Sequence, residues 1–261
     1  GLSSFEIRGT PGWRITGYTA GEPDRADILA RLGAAAGKTG TALPDVDVSP
    51  LEERDWVAEA ERSLAPIHVG PFYVYGSHVE NSPPEGSIAI RIDAGQAFGT
   101  GNHETTKGCL QAIERICAVR PPANPLDVGT GSGILAIALA KRLGIRVTAS
   151  DNDPIAVEVA AENAGLNGVG ELVECHLAEG LNLPALRAHA PYDLIVANIV
   201  ANPLIALAAD IAGVAAASGR VVLSGILVEQ ADDVVAAYAD AGLDIEDRSG
   251  LGDWMTLILR R

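Results

Sequence analysis

The sequence predicts a doubly wound α/β sheet whose last strand runs antiparallel, preceded by a small α+β module. Three observations carry that prediction. From Ala123 onward, short apolar runs alternate with helix-length ones, the pattern of a parallel sheet covered by helices on both faces. A glycine-rich turn, "LDVGTGSG", opens the first of those helices. The final two strand-like stretches, "LDIEDRS" and "DWMTLILRR", are separated only by "GLG", too short for a crossover helix and right for a hairpin.

The elements follow in order. Residues 1–50 hold two short strands, "SSFEIRG" and "WRITGYTA", divided by a Thr-Pro-Gly turn, then a helix over "PDRADILARLGAAAG" and an extended piece, "LPDVDVS". That is half of a small α+β module. Residues 51–86 read as a linker with a short helix, "ERDWVAEAERSL", and strand-like "FYVYGS", broken by "NSPPEG". The main domain is expected over residues 87–261. Within it "PLDVG" leads into "ILAIALAKRLG", "VTASD" into "PIAVEVAAENAG", "YDLIVANI" into "PLIALAADIAGVAA", and "GRVVLSGI" into "EQADDVVAAYADAG".

Composition sets bounds on function. At 261 residues, 48% of them hydrophobic and 20% charged, the chain can bury the core of one large domain and a small companion. No apolar run reaches the roughly 18 residues of a membrane span, and the N-terminal stretch lacks a basic-then-apolar leader pattern, so a soluble protein is expected. Cys109, Cys117 and Cys175 form no Cys-x-x-Cys pair, and His68, His78, His103, His176 and His189 are scattered, which argues against a disulfide framework or a metal site and for packed thiols in a reducing compartment. A net charge of −15 disfavours nucleic acid and suits a cationic protein partner. Residues 45–61 concentrate seven of the acids against one base, Arg54; such a run is either a solvated face or a docking surface for a basic partner.

Two stretches carry chemistry. In "LDVGTGSGILAIALA", Asp127 ends a strand, and Gly129, Gly131 and Gly133 make a tight turn that lets a ligand lie against bare backbone at the carboxyl edge of the sheet. A dinucleotide fingerprint would place its third glycine at 134, which is Ile134, and no Gly-Lys-Ser/Thr of a P-loop is present. Asp151, 22 residues beyond Gly129, stands at the tip of the second strand, where a carboxylate can accept from both ribose hydroxyls and Asn152 can reach an adenine; alternatively Asp151 caps the helix begun by Pro154. The second stretch, "DAGQAFGTGNHETTKGCL", places Gly99 and Gly101 before a helix start at Glu104, Thr105 and Thr106, where free N–H groups attract anions; a well-capped helix start would look the same.

Taken together, "DAGQAFGTGNHETT", "LDVGTGSGILAIALA", "SDNDPIAVEVAAENAGLNGV", "YDLIVANIVANPLIALA", "GRVVLSGILVEQADDV" and "DWMTLILRR", in this order, resemble the bacterial lysine methyltransferases that modify ribosomal protein eleven of the large subunit. The likeness runs from about Trp56 to the end, and "AFGTGNHETT" is its most specific part. It implies a seven-stranded class I methyltransferase sheet with its last strand antiparallel, S-adenosylmethionine as cofactor and no metal. It also implies that the "AFGTGNHETT" turn covers the cofactor, with Phe98 and Gly99 at its methionine end and Thr106 touching it from the helix start. Gly129, Gly131 and Asp151 are then cofactor-binding. Asn198 of "VANI" lies beside the reactive methyl, where it is the expected catalytic residue; its alternative is a strand-end Asn that turns the chain before Pro203. The expected reaction is methylation of lysine ε-amines, to trimethyl-lysine, and of an N-terminal α-amine. The partner is a basic ribosomal protein, without direct nucleic-acid or membrane recognition, for a cytoplasmic monomer. Family members carry a small ferredoxin-like recognition module in front that orients the ribosomal protein, a role the resemblance implies for residues 1–50; here "SSFEIRG" resembles its second strand, so the first strand and helix are expected to be missing. A methyltransferase acting on another protein or a small-molecule amine shares the glycine turn and Asp151, as does a cofactor-binding protein without catalysis. An adenine or glutamine methyltransferase would instead want Asn-Pro-Pro-aromatic where this chain has "ANIVANP".

Overall fold

A computed structural model describes residues 2–7, 12–17, 21, 23–48, 66–92 and 103–261. The chain divides into two compact units, Gly1–Asp55 and Trp56–Arg261. In the first, strands β1 (Leu2–Ile7) and β2 (Gly12–Gly17) pair antiparallel, with Leu2 opposite Gly17 and Ile7 opposite Gly12. Helix α1 (Arg25–Thr39) follows because Asp24 caps it, its side chain accepting from the backbone N–H groups of Ala26 and Asp27, and Gly40 ends it in the left-handed region. The extended stretch beyond returns to the helix, where Arg25 donates to the Val46 carbonyl at 3.1 Å.

The second unit is built on a sheet of seven strands: β6 (Pro125–Val128), β7 (Val147–Asp151), β8 (Val173–Leu177), β9 (Tyr192–Asn198), β10 (Ala215–Leu227), β11 (Asp244–Leu251) and β12 (Trp254–Arg260). Their order across the sheet is β11-β12-β10-β9-β6-β7-β8. Strands β8, β7, β6, β9 and β10 are mutually parallel, whereas β12 is antiparallel to both neighbours. The reversed strand is therefore not at the edge: the hairpin turns β12 back into the gap between β10 and β11, and β11 is outermost.

Burial on both faces explains the unbroken apolar run "LIVA" in β9, since alternate residues serve opposite cores. Leu194 and Val196 join one cluster with helix α2 (His103–Val119) and helix α3 (Ile134–Leu143), through Leu110, Ile113, Ile137 and Leu139. Ile195 and Ala197 join the other with helix α6 (Ala201–Val214) and helix α7 (Ala231–Asp240), through Leu204, Ile211, Val234 and Tyr238. Helix α4 (Pro154–Leu166) connects β7 to β8, and the short helix α5 (Pro184–Ala188) precedes β9.

The expected linker over 51–86 needs correction where it is described. Strands β3 (Ile67–Val69), β4 (Phe72–Tyr75) and β5 (Ile88–Arg91) form a three-stranded sheet, β3 antiparallel and β5 parallel to β4. Phe72 and Ile90 are fully buried in the same cluster as α2 and α3, so this sheet is part of the large core. The expected helix over "ERDWVAEAERSL" lies outside the described residues.

Candidate active site

Four adjacent strands, β7, β6, β9 and β10, end at one edge, and each contributes to the site. At the end of β6, the N–H groups of Gly129 and Thr130 both donate to the Ser150 carbonyl of β7, at 2.8 and 2.9 Å. Gly131 N–H donates to Asp151 Oδ2 at 2.8 Å, and Gly133 N–H returns to the Thr130 carbonyl at 2.9 Å. The turn is thus held by the neighbouring strand, and it demands glycine: Gly129, Gly131 and Gly133 have φ of 70°, 54° and 84°. At Gly133 a Cβ would also lie 3.1 Å from Ala160 Cα, so helix α4 packs directly on the turn. From that helix the buried Asn163 amide donates to the Ser132 carbonyl at 2.8 Å.

Beneath the turn sits Asp127, 1% exposed. Its Oδ2 accepts from Thr130 Oγ1 at 2.7 Å and from Ala136 N–H at 3.1 Å, while among the described residues its buried Oδ1 has no partner. Burial pushes this carboxyl up to about 7, against the lowering effect of the Thr130 and Ala136 hydrogen bonds. Asp151, at the end of β7, is half-buried and uses both oxygens, Oδ2 on Gly131 and Oδ1 on the Asp153 N–H at 3.0 Å. The helix cap is Asp153 instead, whose Oδ1 accepts from Ile155 N–H at 2.9 Å. Each Asp151 oxygen keeps a lone pair for a further donor. Asn152 is exposed beside it.

On the other side of β6, Asn198 ends β9 half-buried, opposite Ser224 of β10. Among the described residues its side-chain amide has no hydrogen-bond partner, and Val200, with no side-chain cap, begins the next helix. Ile199 locks this strand end in place from two directions. Its Cγ2 occupies the space a Cβ on Gly129 would fill, 2.4 Å away, and its carbonyl oxygen stands 2.5 Å from a Cβ built on Gly225. Gly225 has φ of 82° at the bulge where β10 shifts register between Leu223 and Ile226.

The start of α2 joins the same edge. Thr105 and Thr106 are buried, and the Thr105 carbonyl accepts from Ser224 Oγ at 3.4 Å, which lies 3.0 Å from Thr256 Oγ1. Of the residues expected from the sequence, Thr106, Gly129, Gly131, Asp151 and Asn198 are described; Phe98, Gly99 and Gly101 lie outside the described residues. Sequence reasoning missed Asn163, Ile199 and Ser224, which act on the site through packing and backbone contacts. Asp127, whose Oδ1 is without a partner among the described residues, did have a signal, an acid inside the apolar strand "PLDV". The thiols Cys109, Cys117 and Cys175 are free, and burial pushes them up to about 12, 11 and 11, so they stay protonated and unreactive. Among the described residues, no group of side chains could hold a metal ion, and no helix is long and apolar enough to cross a membrane.

A glycine turn and an acid-tipped second strand, at the carboxyl edge of a parallel sheet with one inserted antiparallel strand, define an S-adenosylmethionine-dependent class I methyltransferase. The sequence matches the family described as ribosomal protein L11 methyltransferase (PrmA) over residues 6–261, and the chain belongs to it. A ribosomal protein L11 methyltransferase of Brucella suis is 46% identical over 240 residues, covering 92% of this chain and 82% of its own. One of Rhizobium johnstonii is 43% identical over 251 residues, covering 95% and 85%. The crystal structure of a ribosomal protein L11 methylase from Lactobacillus delbrueckii subsp. bulgaricus matches with a TM-score of 0.68 and 32% identity, covering 76% of this chain and 99% of its own.

The residues present fit this cofactor. Its cationic end suits a site where Asp127 Oδ1 is buried and, among the described residues, without a partner, its ribose suits the spare lone pairs of Asp151, and the glycine turn, with φ of 54° at Gly131, offers backbone without a side chain.

Proposed function

We propose that this chain transfers methyl groups to amines of ribosomal protein L11: lysine ε-amines, carried to the trimethyl state, and an N-terminal α-amine. The observation that supports this most is the approach of Ile199 to Gly129, because the partnerless Asn198 amide then ends beside the turn read as the donor's site. Gly129, Gly131, Asp151, Thr106 and Phe98 hold S-adenosylmethionine in this reading, and Asn198 both touches it and acts in catalysis.

S-adenosylmethionine supplies a sulfonium methyl that an amine lone pair displaces directly. The protein's work is to present that lone pair in line and to favour the neutral amine. Deprotonating a lysine of pKa about 10.4 near pH 7.4 costs roughly 4 kcal/mol, which a desolvating pocket lowers. Asn198 Oδ1 accepts one amine hydrogen and aims the lone pair in the first two transfers to a lysine, the neutral dimethylamine of the third having no N–H to donate; before each transfer the ammonium proton leaves to water, so no general base is assigned. Residues 1–50 present the substrate, and the net charge of −15 suits a basic ribosomal protein met by a monomer in the cytoplasm.

Incubation of a purified bacterial large ribosomal subunit with the protein and isotope-labelled S-adenosylmethionine, followed by mass spectrometry, tests the proposal. Label is expected in L11, on lysines and the N-terminus. Label confined to another ribosomal protein, or to small amines, would assign the enzyme a different substrate. Deleting residues 1–55 should leave cofactor affinity near that of the full chain and sharply reduce methylation of L11; loss of cofactor binding by a folded truncation would refute this division of labour.

A further inference from the structure

Helix α4 turns four residues inward: Ala156, Ala160, Asn163 and Ala164. Three of them are small and apolar, and the fourth is an amide only 5% exposed. Asparagine is a weak helix former, and a buried amide costs free energy unless it is bonded, so alanine would serve the helix and its packing better. The amide is used outside the helix instead, where Nδ2 donates to the Ser132 carbonyl at 2.8 Å.

Ser132 stands between Gly131 and Gly133, whose φ values are 54° and 84°. Peptide groups beside glycines rotate at little steric cost, so the shape of this turn depends on what holds them. Asp151 Oδ2 holds the Gly131 N–H at 2.8 Å, and Asn163 holds the Ser132 carbonyl. These two bonds lie on either side of the peptide that joins Gly131 to Ser132, whose own carbonyl and N–H have no hydrogen-bond partner among the described residues. That middle peptide is thus oriented by its neighbours, and its polar groups remain for a ligand. The next peptide is held at both ends: Gly133 N–H returns to Thr130 within the turn at 2.9 Å, while the Ser132 carbonyl reaches out to α4. Asp151 and Asn163 belong to one continuous segment, since β7 ends at Asp151, Asp153 caps α4, and Asn163 lies about three turns along that helix.

We propose that Asn163 is a positioning residue for the methyl donor: it fixes the Ser132 peptide against helix α4, as Asp151 fixes Gly131 from the strand end, and so presets the backbone on which the donor lies. This rests on the reading of the glycine turn and Asp151 as the donor's site. A residue serving the fold alone lowers the melting temperature and leaves affinity unchanged well below it; a positioning residue changes affinity at that temperature.

The test uses the full chain with Asn163→Ala and Asn163→Asp, S-adenosylmethionine affinity by titration calorimetry, melting temperature, and methyl-transfer kinetics with the large ribosomal subunit as acceptor. Asn163→Ala is expected to raise Kd and cofactor KM about tenfold and to change kcat at saturating cofactor by about twofold or less. Asn163→Asp keeps the shape but sets a carboxylate oxygen against the Ser132 carbonyl, so it should weaken binding at least as much. Asn124→Ala is the matched control. The Asn124 Nδ2 donates to the carbonyls of His189 and Pro191 at 2.7 and 2.9 Å, just before β6 and at the opposite end of that strand from the glycine turn. Its loss should lower the melting temperature and leave binding normal. Unchanged affinity in either folded Asn163 variant, or an equal loss of affinity in Asn124→Ala, overturns the proposal. So does failure of both Asn163 variants to fold where Asn124→Ala folds, which would make Asn163 a residue of the fold alone. Wild-type protein that fails to bind S-adenosylmethionine would instead overturn the reading of the donor site on which the proposal rests.

Discussion

Replacing Asp151 by Ala separates cofactor recognition from structural support. The substitution removes the acceptors of Gly131 N–H at 2.8 Å and Asp153 N–H at 3.0 Å, both bonds to a charged group. Bonds of that kind contribute about 1.5–3 kcal/mol each when buried, and less here because Asp151 is half-exposed. The folded protein should therefore lose on the order of 1–3 kcal/mol, and the glycine turn should loosen at Gly131. If the carboxylate also binds the ribose hydroxyls, a further charged contact is lost, and affinity should fall roughly ten- to a hundredfold. Asp153→Ala is the matched comparison, since it removes the α4 cap on Ile155 at a cost of about 1 kcal/mol without touching the turn. Titration calorimetry with S-adenosylmethionine and its demethylated product, on variants shown to be folded by thermal melts, reads the difference. Wild-type affinity in Asp151→Ala, or equal losses in both variants, would refute the ribose assignment.

The other predictions use different observables. Asn198→Ala should lower kcat strongly with a modest change in cofactor affinity, since the aiming contact is used chiefly in the transition state; normal turnover in the folded variant would make Asn198 structural. Gly225→Ala should cost roughly 2–5 kcal/mol, from the left-handed backbone at φ 82° and a Cβ 2.5 Å from the Ile199 carbonyl oxygen, and should also reduce kcat by displacing the Asn198 strand end. Gly242→Ala, at φ 86° with nothing within 4 Å, should cost only the backbone part, so equal melting and turnover in the two variants would discount the Ile199 contact. Because Asp127 is raised from an ordinary 3.8 to about 7 on folding, the folded chain binds more protons than the unfolded one between those values, and its contribution falls as pH rises from about 4 to 7. Urea unfolding at pH 5 and pH 8 should then show a steeper decline for wild type than for Asp127→Asn, by at most about 3 kcal/mol, and parallel curves would refute an uncharged buried acid at low pH.

What the sequence discloses here depends on how local the cause is. The hairpin of β11 and β12 was legible because the three residues "GLG" between strand patterns leave the chain no other route, and the sheet was legible because burial on both faces writes runs such as "LIVA" into β9. The insertion of β12 between β10 and β11 was not, since nothing in either strand's own residues names its neighbour. Strand β8 had a signal, the alternation of Val173, Cys175 and Leu177 with Glu174 and His176, and it is the element the strand-and-helix scheme passed over. Strands β3 and β5, at three and four residues, are too short for a period to show, so the sheet they make with β4 read as a linker.

The site divides along the same line. Asp151, Gly129, Gly131 and Asn198 are visible because each is a residue type required by a strand end or a tight turn, and strand order then brings them together without further instruction. The contacts that hold them are of another kind: Ser150 offers one carbonyl to two amides, Asn163 reaches the carbonyl of Ser132, and Ile199 fills the space left by the missing Cβ of Gly129. None of those partners is chosen by its own sequence neighbourhood, because a backbone carbonyl is the same on every residue and a methyl group fits wherever space is left. Chemistry-bearing residues are therefore readable from type and position, whereas the residues that aim them are defined only by distance. Substitutions at Asn163, Ile199 and Gly225 should accordingly alter binding or turnover although none carries a group that the reaction itself uses.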